Sequence, residues 1–119
     1  MALGGAIGTL LRYFVSSLLW QPGPGLPAGT LLVNLSGSFV IGLLWGVNQQ
    51  AGFNQGLAAF LFVGLLGGYT TFSSFSLENL LLLRQGAYWN ALFYMMVSSM
   101  GGLLAAYLGL RLSGNDLHA

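Results

Sequence analysis

The sequence predicts an all-α membrane protein, a single transmembrane domain over residues 1–119 in which four helices cross the bilayer and the third is broken mid-span. Three observations carry this. Only 4% of residues are charged against 55% hydrophobic, whereas a soluble domain has about a quarter of its residues charged, so the chain cannot build a water-facing surface. Its formal charges, Arg12, Glu78, Arg84, Arg111 and Asp116, are far enough apart to leave uncharged stretches longer than the ~20 residues a crossing helix needs. Those stretches are continuously apolar and lack the period-two alternation of barrel strands, which selects helices.

The spans follow in order. The first covers about residues 2–20 and ends at Gln21-Pro22-Gly23-Pro24-Gly25-Leu26-Pro27, where every proline of the chain gathers and a helix cannot continue. The second covers about 29–47 and is expected to stop at the uncharged polar turn Asn48-Gln49-Gln50-Ala51-Gly52. Trp20 and Trp45 lie near these ends, as interfacial aromatics do. The third, about 55–83, exceeds the length of a straight span and carries Gly67-Gly68-Tyr69-Thr70-Thr71 in its middle, a composition that suits a helix break. Arg84-Gln85-Gly86 makes a turn, and the fourth span covers about 88–112 before a polar tail.

Several functions are disfavoured at once. Without a lysine, and at a net charge of +1, the chain has no basic patch for a phosphate backbone, so nucleic acid is not an expected partner. The absence of cysteine rules out disulfides and thiolate chemistry within the chain. His118 belongs to a polar terminus, where fraying is the expected behaviour. The first segment has no cationic leader, and Arg12 interrupts it, so it is expected to remain as a helix instead of being cleaved as a signal peptide.

Orientation follows the arginine bias of the short loops. With four spans, Arg111 falls on one side, Arg84 on the other and Arg12 within the first span, so the flanking charges cancel. A chain with no preference can insert both ways and pair with an inverted copy of itself, although a lipid or partner contact could equally set one topology. Glycines concentrated within the spans allow close helix approach, and four short helices enclose little volume, so a transport path is expected to need two copies.

Polar residues inside the apolar spans are the candidate functional groups. Thr30, Asn34, Ser38, Gly42 and Gly46 form an i, i+4 stripe on the second span, which reads either as a packing seam or as a polar path in which the Asn34 amide donates to an anion. Tyr94, Ser98 and Gly102 repeat this on the fourth. Arg12 lies deep in the first span and should face water or a partner: it either raises the local anion concentration in an aqueous vestibule or pairs with Glu78. After the break, Phe72 and Phe75 share a face beside Thr71 and Ser74. Such aromatic pairs usually only pack, but the positive ring edge can also meet a small anion.

These residues carry a resemblance. Gly67 to Glu78, with paired glycines, two threonines, Phe-Ser-x-Phe-Ser and a glutamate, resembles the signature of the Fluc family of fluoride channels. Gly29-Thr30-Leu31-Leu32-Val33-Asn34 with Gly37-Ser38-Phe39 is similar to that family's second-helix motif. Gly4-Gly5-Ala6-Ile7-Gly8 with Arg12-Tyr13 is similar to its first. The resemblance implies a dual-topology homodimer in the cell (inner) membrane, with two antiparallel pores that pass fluoride passively. It implies ring-edge contact from Phe72 and Phe75, donation from Asn34, a polar track of Tyr94, Ser98 and Thr71, and Arg12 by the vestibule. It also implies a structural sodium ion at the dimer centre, held by the backbone carbonyls of Gly67 and Thr70. Gly102 departs from relatives that carry a hydroxyl there.

Two rivals remain. A small multidrug-type proton-coupled exporter needs an intramembrane acid, and Glu78, near the end of the third span, is the sole acid in any span. A non-transporting assembly subunit would use the same motifs only as packing seams. A hydrolase is disfavoured, since no span contains histidine and no G-x-S-x-G motif occurs.

Overall fold

The structure is a computed structural model that describes residues 1–19 and 27–114. The expectations for Trp20, for the loop from Gln21 to Leu26, and for Asp116 and His118 lie outside the described residues. The helices are α1 (Ala2–Leu18), α2 (Ala28–Ala51), α3 (Gln55–Ala58), a π-helical segment (Ala59–Leu66), α4 (Gly67–Tyr69), α5 (Phe72–Arg84) and α6 (Tyr88–Leu112). Among the described residues, three stretches are long and apolar enough to cross a membrane: Ala28–Ala51, Gln55–Arg84 and Tyr88–Leu112. The apolar α1, at 17 residues, stands at the short end of the ~17–25 that span a bilayer.

The second helix is longer than expected. Asn48 to Ala51 continue it, and termination waits for Gly52, whose φ of 68° is left-handed, a conformation open to glycine because it lacks a Cβ. Asn48 closes the end from within: its carbonyl accepts from Gly52 N–H at 2.8 Å and its Oδ1 from Phe53 N–H at 2.8 Å. A run of neutral polar residues does not stop a helix, whereas a left-handed glycine does. α6, Tyr88–Leu112, covers the residues expected of the last apolar stretch, and the turn before it closes at Gly86, with φ 78°.

Packing is set by backbones in near contact. α2 and α6 form the most extensive pair. A Cβ on Gly42 would overlap the carbonyl oxygen of Ala106, and one on Gly109 would overlap that of Phe39. α1 lies on the first half of the third span, where a Cβ on Gly4 would stand 2.7 Å from the Phe60 carbonyl oxygen and one on Gly8 would overlap that of Leu65. Helix axes this close require residues without side chains at the crossing. Beyond the break, α5 turns back on α6, with Leu82, Ala91 and Tyr94 buried between them.

The π-helical segment has no counterpart among the sequence expectations. Nothing in Ala-Phe-Leu-Phe-Val-Gly-Leu-Leu disfavours an α-helix strongly, so tertiary packing imposes it. Phe60, Gly64 and Gly68 face α1, while Phe62, Leu66 and Thr70 line a cavity against α2. Both faces advance four residues per turn. An α-helix at 3.6 residues per turn would drift about 80° over eight residues, and the wider π turn keeps both faces in step.

Candidate functional site

The third span breaks at Thr70 and Thr71, whose backbones are extended (φ −82°, ψ 159° and φ −148°, ψ 124°). Both lie within the Gly67–Thr71 run that composition marks for a break, and the cause is visible in the hydrogen bonds. Thr70 doubles back on the turn before it, with both its N–H and its hydroxyl donating to the Leu66 carbonyl at 2.9 Å. Thr71 begins the next helix as an N-cap, its Oγ1 accepting from Ser74 N–H at 3.2 Å, the usual work of a threonine in that position. Carbonyls before the break consequently lose their ordinary i+4 donors. Thr71 N–H, the donor for Gly67, turns to Asn34; Phe72 N–H, the donor for Gly68, opens α5; Ser74 N–H, the donor for Thr70, goes to the cap.

Two distant side chains fill the gap. Asn34 brackets the Thr71 peptide: its Nδ2 donates to the Thr71 carbonyl at 3.0 Å, and its Oδ1 accepts from Thr71 N–H at 2.9 Å. Arg12 donates through Nε to the freed Gly68 carbonyl at 3.1 Å. The Arg12–Glu78 ion pair that the sequence allows is therefore not what forms. Arg12 bonds to backbone, while Glu78 accepts from two hydroxyls, Thr30 Oγ1 at 3.1 Å and Tyr94 at 3.1 Å.

Asn34, Thr71 and Phe72 line a cavity of about 360 Å³ with Gly67 and Thr70. Phe72 is 79% exposed, its ring 5.8 Å from that of Phe75, which in turn lies 5.0 Å from the fully buried Tyr94. The three rings thus run in file from the open face to the core. One turn after Tyr94, Ser98 Oγ is buried without a hydrogen-bond partner among the described residues, an arrangement costly in an apolar setting. Arg12 does not join this group. With Glu78, Ser16, Thr30 and Ser74 it lines a second cavity of about 370 Å³.

The polar stripe on α2 divides its work. Thr30 and Asn34 reach Glu78 and Thr71, Ser38 lies against Gly102, where an added Cβ would stand 3.4 Å from its Oγ, and Gly42 is the crossing point with α6. These contacts are of the kind the packing-seam reading expects, with Asn34 hydrogen-bonded to a neighbouring segment. The Thr30–Glu78–Tyr94 cluster is absent from the sequence expectations, because Glu78 reads there as closing a span near Arg84. Its signal is present all the same: a carboxylate in an apolar helix needs hydrogen-bond donors, and Thr30 lies one turn before Asn34 on the same stripe. Among the described residues no three His, Cys, Asp or Glu side chains gather to hold a metal ion.

Comparison with known proteins agrees with this arrangement of motifs. Residues 1–110 match the family described as CrcB-like protein, Camphor Resistance (CrcB). The chain belongs to the CrcB-like family. A relative from Parabacteroides distasonis, named a fluoride-specific ion channel FluC, is 44% identical over 118 residues, covering 97% of this chain and 91% of the relative. Proteins of the same name from Thermus thermophilus and Salinibacter ruber are 47% and 46% identical, over 96% and 92% of this chain and 92% and 83% of their own lengths. With its apolar helices, this CrcB-like chain is a multi-pass membrane protein.

Proposed function

We propose that this chain is a fluoride-selective passive ion channel, not an enzyme, which lets fluoride leave the cell and so protects it from fluoride toxicity. The observation that carries the proposal is near-complete coverage by relatives named fluoride-specific channels at 44–47% identity. Physical chemistry agrees with it. Fluoride is small and strongly hydrated, so a narrow path must replace its water with donors, and this chain supplies hydroxyls, an amide and ring edges without a carboxylate among them.

The roles follow from the hydrogen bonds each group leaves unspent. Phe72 and Phe75 present ring edges to the ion. Asn34 carries two amide protons and commits one to Thr71, leaving one for fluoride. Thr71 Oγ1 accepts from Ser74 N–H and lies 3.5 Å from Ser73 Oγ, with either hydroxyl able to donate; a Thr71 proton turned away from Ser73 is available to the ion, as is that of Ser98. Tyr94 donates its proton to Glu78, so its contribution is to hold the Phe75 ring. Arg12 stands apart from these groups, lining the second cavity. Tyr94 and Thr30 occupy both oxygens of Glu78, and with relatives named as channels the proton-coupled exporter is not favoured.

The finer assembly belongs to the same proposal. α1 serves as the fourth span, and the functional unit is an antiparallel homodimer in the cell (inner) membrane, consistent with balanced arginines. A structural sodium ion at the dimer centre suits the chain, since the Gly67 and Thr70 carbonyls are without their i+4 donors and such freed carbonyls bind hard cations. When bound, the ion would neutralise those dipoles and tie the breaks of two copies together.

The test is efflux from liposomes containing purified protein, with chloride-loaded vesicles as the control and a potassium ionophore to clamp the voltage. Rapid fluoride release without chloride release supports the channel. Absence of fluoride release from a verified dimer counts against it.

A further inference from the structure

We infer that Arg12 is a positioning residue that acts through its Nε–H on the Gly68 carbonyl, clamping the break in the third span, and not chiefly through its charge. The bond is specific in kind. It joins residues 56 apart in sequence at 3.1 Å, and its acceptor is a carbonyl whose helical donor, Phe72 N–H, the break has carried into the next helix. A carbonyl so freed at membrane depth is satisfied by a protein donor or by water in a cavity, and for Gly68 the structure supplies the protein donor. Gly68 is held on its other side by α1 as well: an added Cβ there would lie 2.7 Å from the Gly5 carbonyl oxygen. The same helix that packs against the segment before the break thus delivers the donor that holds it. With Asn34 bracketing Thr71, Arg12 completes a pair of clamps on the two sides of Tyr69 and Thr70, and the clamps set the direction of the free Gly67 and Thr70 carbonyls.

The charge role and the clamp role separate through one substitution. The glutamine side-chain nitrogen lies the same number of bonds from Cα as Nε of arginine, so Arg12→Gln keeps a donor in place and removes the charge. Arg12→Lys keeps the charge and moves the donor, and Arg12→Met removes both. Each variant is reconstituted as the full chain, fluoride efflux is measured at low and high ionic strength, and deuterium exchange is followed at the amides of Tyr69 to Thr71.

Loss of one membrane-embedded hydrogen bond corresponds to about threefold in a local opening equilibrium. Arg12→Met should therefore exchange about threefold faster at these amides and pass correspondingly less fluoride, with its melting temperature close to wild type, while Arg12→Gln keeps wild-type exchange and flux. If Arg12→Met does not assemble, the Gln and Lys variants decide by their order, with Gln the closer to wild type. The inference is overturned if Arg12→Gln loses flux while Arg12→Lys retains it and exchange at the break stays unchanged. The flux arm rests on the channel proposal and the exchange arm does not. A wild-type protein that passes no fluoride would therefore refute the channel and leave the clamp to be judged by exchange.

Discussion

Replacing Asn34 with alanine removes both bonds to the Thr71 peptide and leaves its N–H and C=O unpaired beside an extended backbone. Hydrogen bonds between membrane-embedded groups average about 0.6 kcal/mol and reach about 1.7 kcal/mol, so two of them place the loss at about 1–3 kcal/mol. Water entering the 360 Å³ cavity would recover part of this, which favours the lower half of the range. At 1.4 kcal/mol per factor of ten, the break should open about tenfold more often. The measurement is deuterium exchange at the Thr71 amide in reconstituted protein, with denaturant unfolding in micelles alongside. Exchange at Leu82 and Ala91, buried between α5 and α6, serves as an internal control and should not change. Fluoride flux should fall with the exchange effect, since the same substitution also takes away the amide proton left for the ion. The reasoning is refuted if the Thr71 amide of Asn34→Ala remains as protected as in wild type, because another group would then hold the break.

Two further outcomes are expected. Phe72→Ile should suppress fluoride flux with a change in stability under about 0.5 kcal/mol, the range of surface substitutions, because the ring is 79% exposed within the chain; wild-type flux in the folded variant would count against ring-edge contact. Gly109→Val should destabilise the α2–α6 pair by about 1–3 kcal/mol, as overpacked sites do, since even a Cβ there overlaps the Phe39 carbonyl oxygen; an unchanged unfolding midpoint would show that the helices can separate freely.

Local chemistry makes much of this chain legible. Gly86 and the flanking polar residues mark the start of α6, and the hydroxyl- and glycine-rich run from Gly67 to Thr71 marks the break, because those residue types act on the backbone within one or two turns. The end of α2 is misplaced for a related reason: Asn48 to Ala51 have the composition of a turn, though only Gly52 adopts the left-handed conformation that stops the helix. The π segment leaves no local trace, as its residues would form an α-helix if α1 and α2 did not hold both faces of it.

Composition and periodicity by themselves determined that the chain is helical and apolar enough for a membrane, and the order of its motifs pointed to a family of channels. Which donor meets which acceptor was decided only by tertiary structure. Asn34 finds Thr71 across 37 residues, Thr30 finds Glu78 across 48 and Arg12 finds Gly68 across 56. Each pairing depends on how two helices are rotated and how closely they approach, quantities set by glycine contacts between distant segments. Side-chain identity limits what a residue can donate, and the relative placement of the helices selects the atom that receives it.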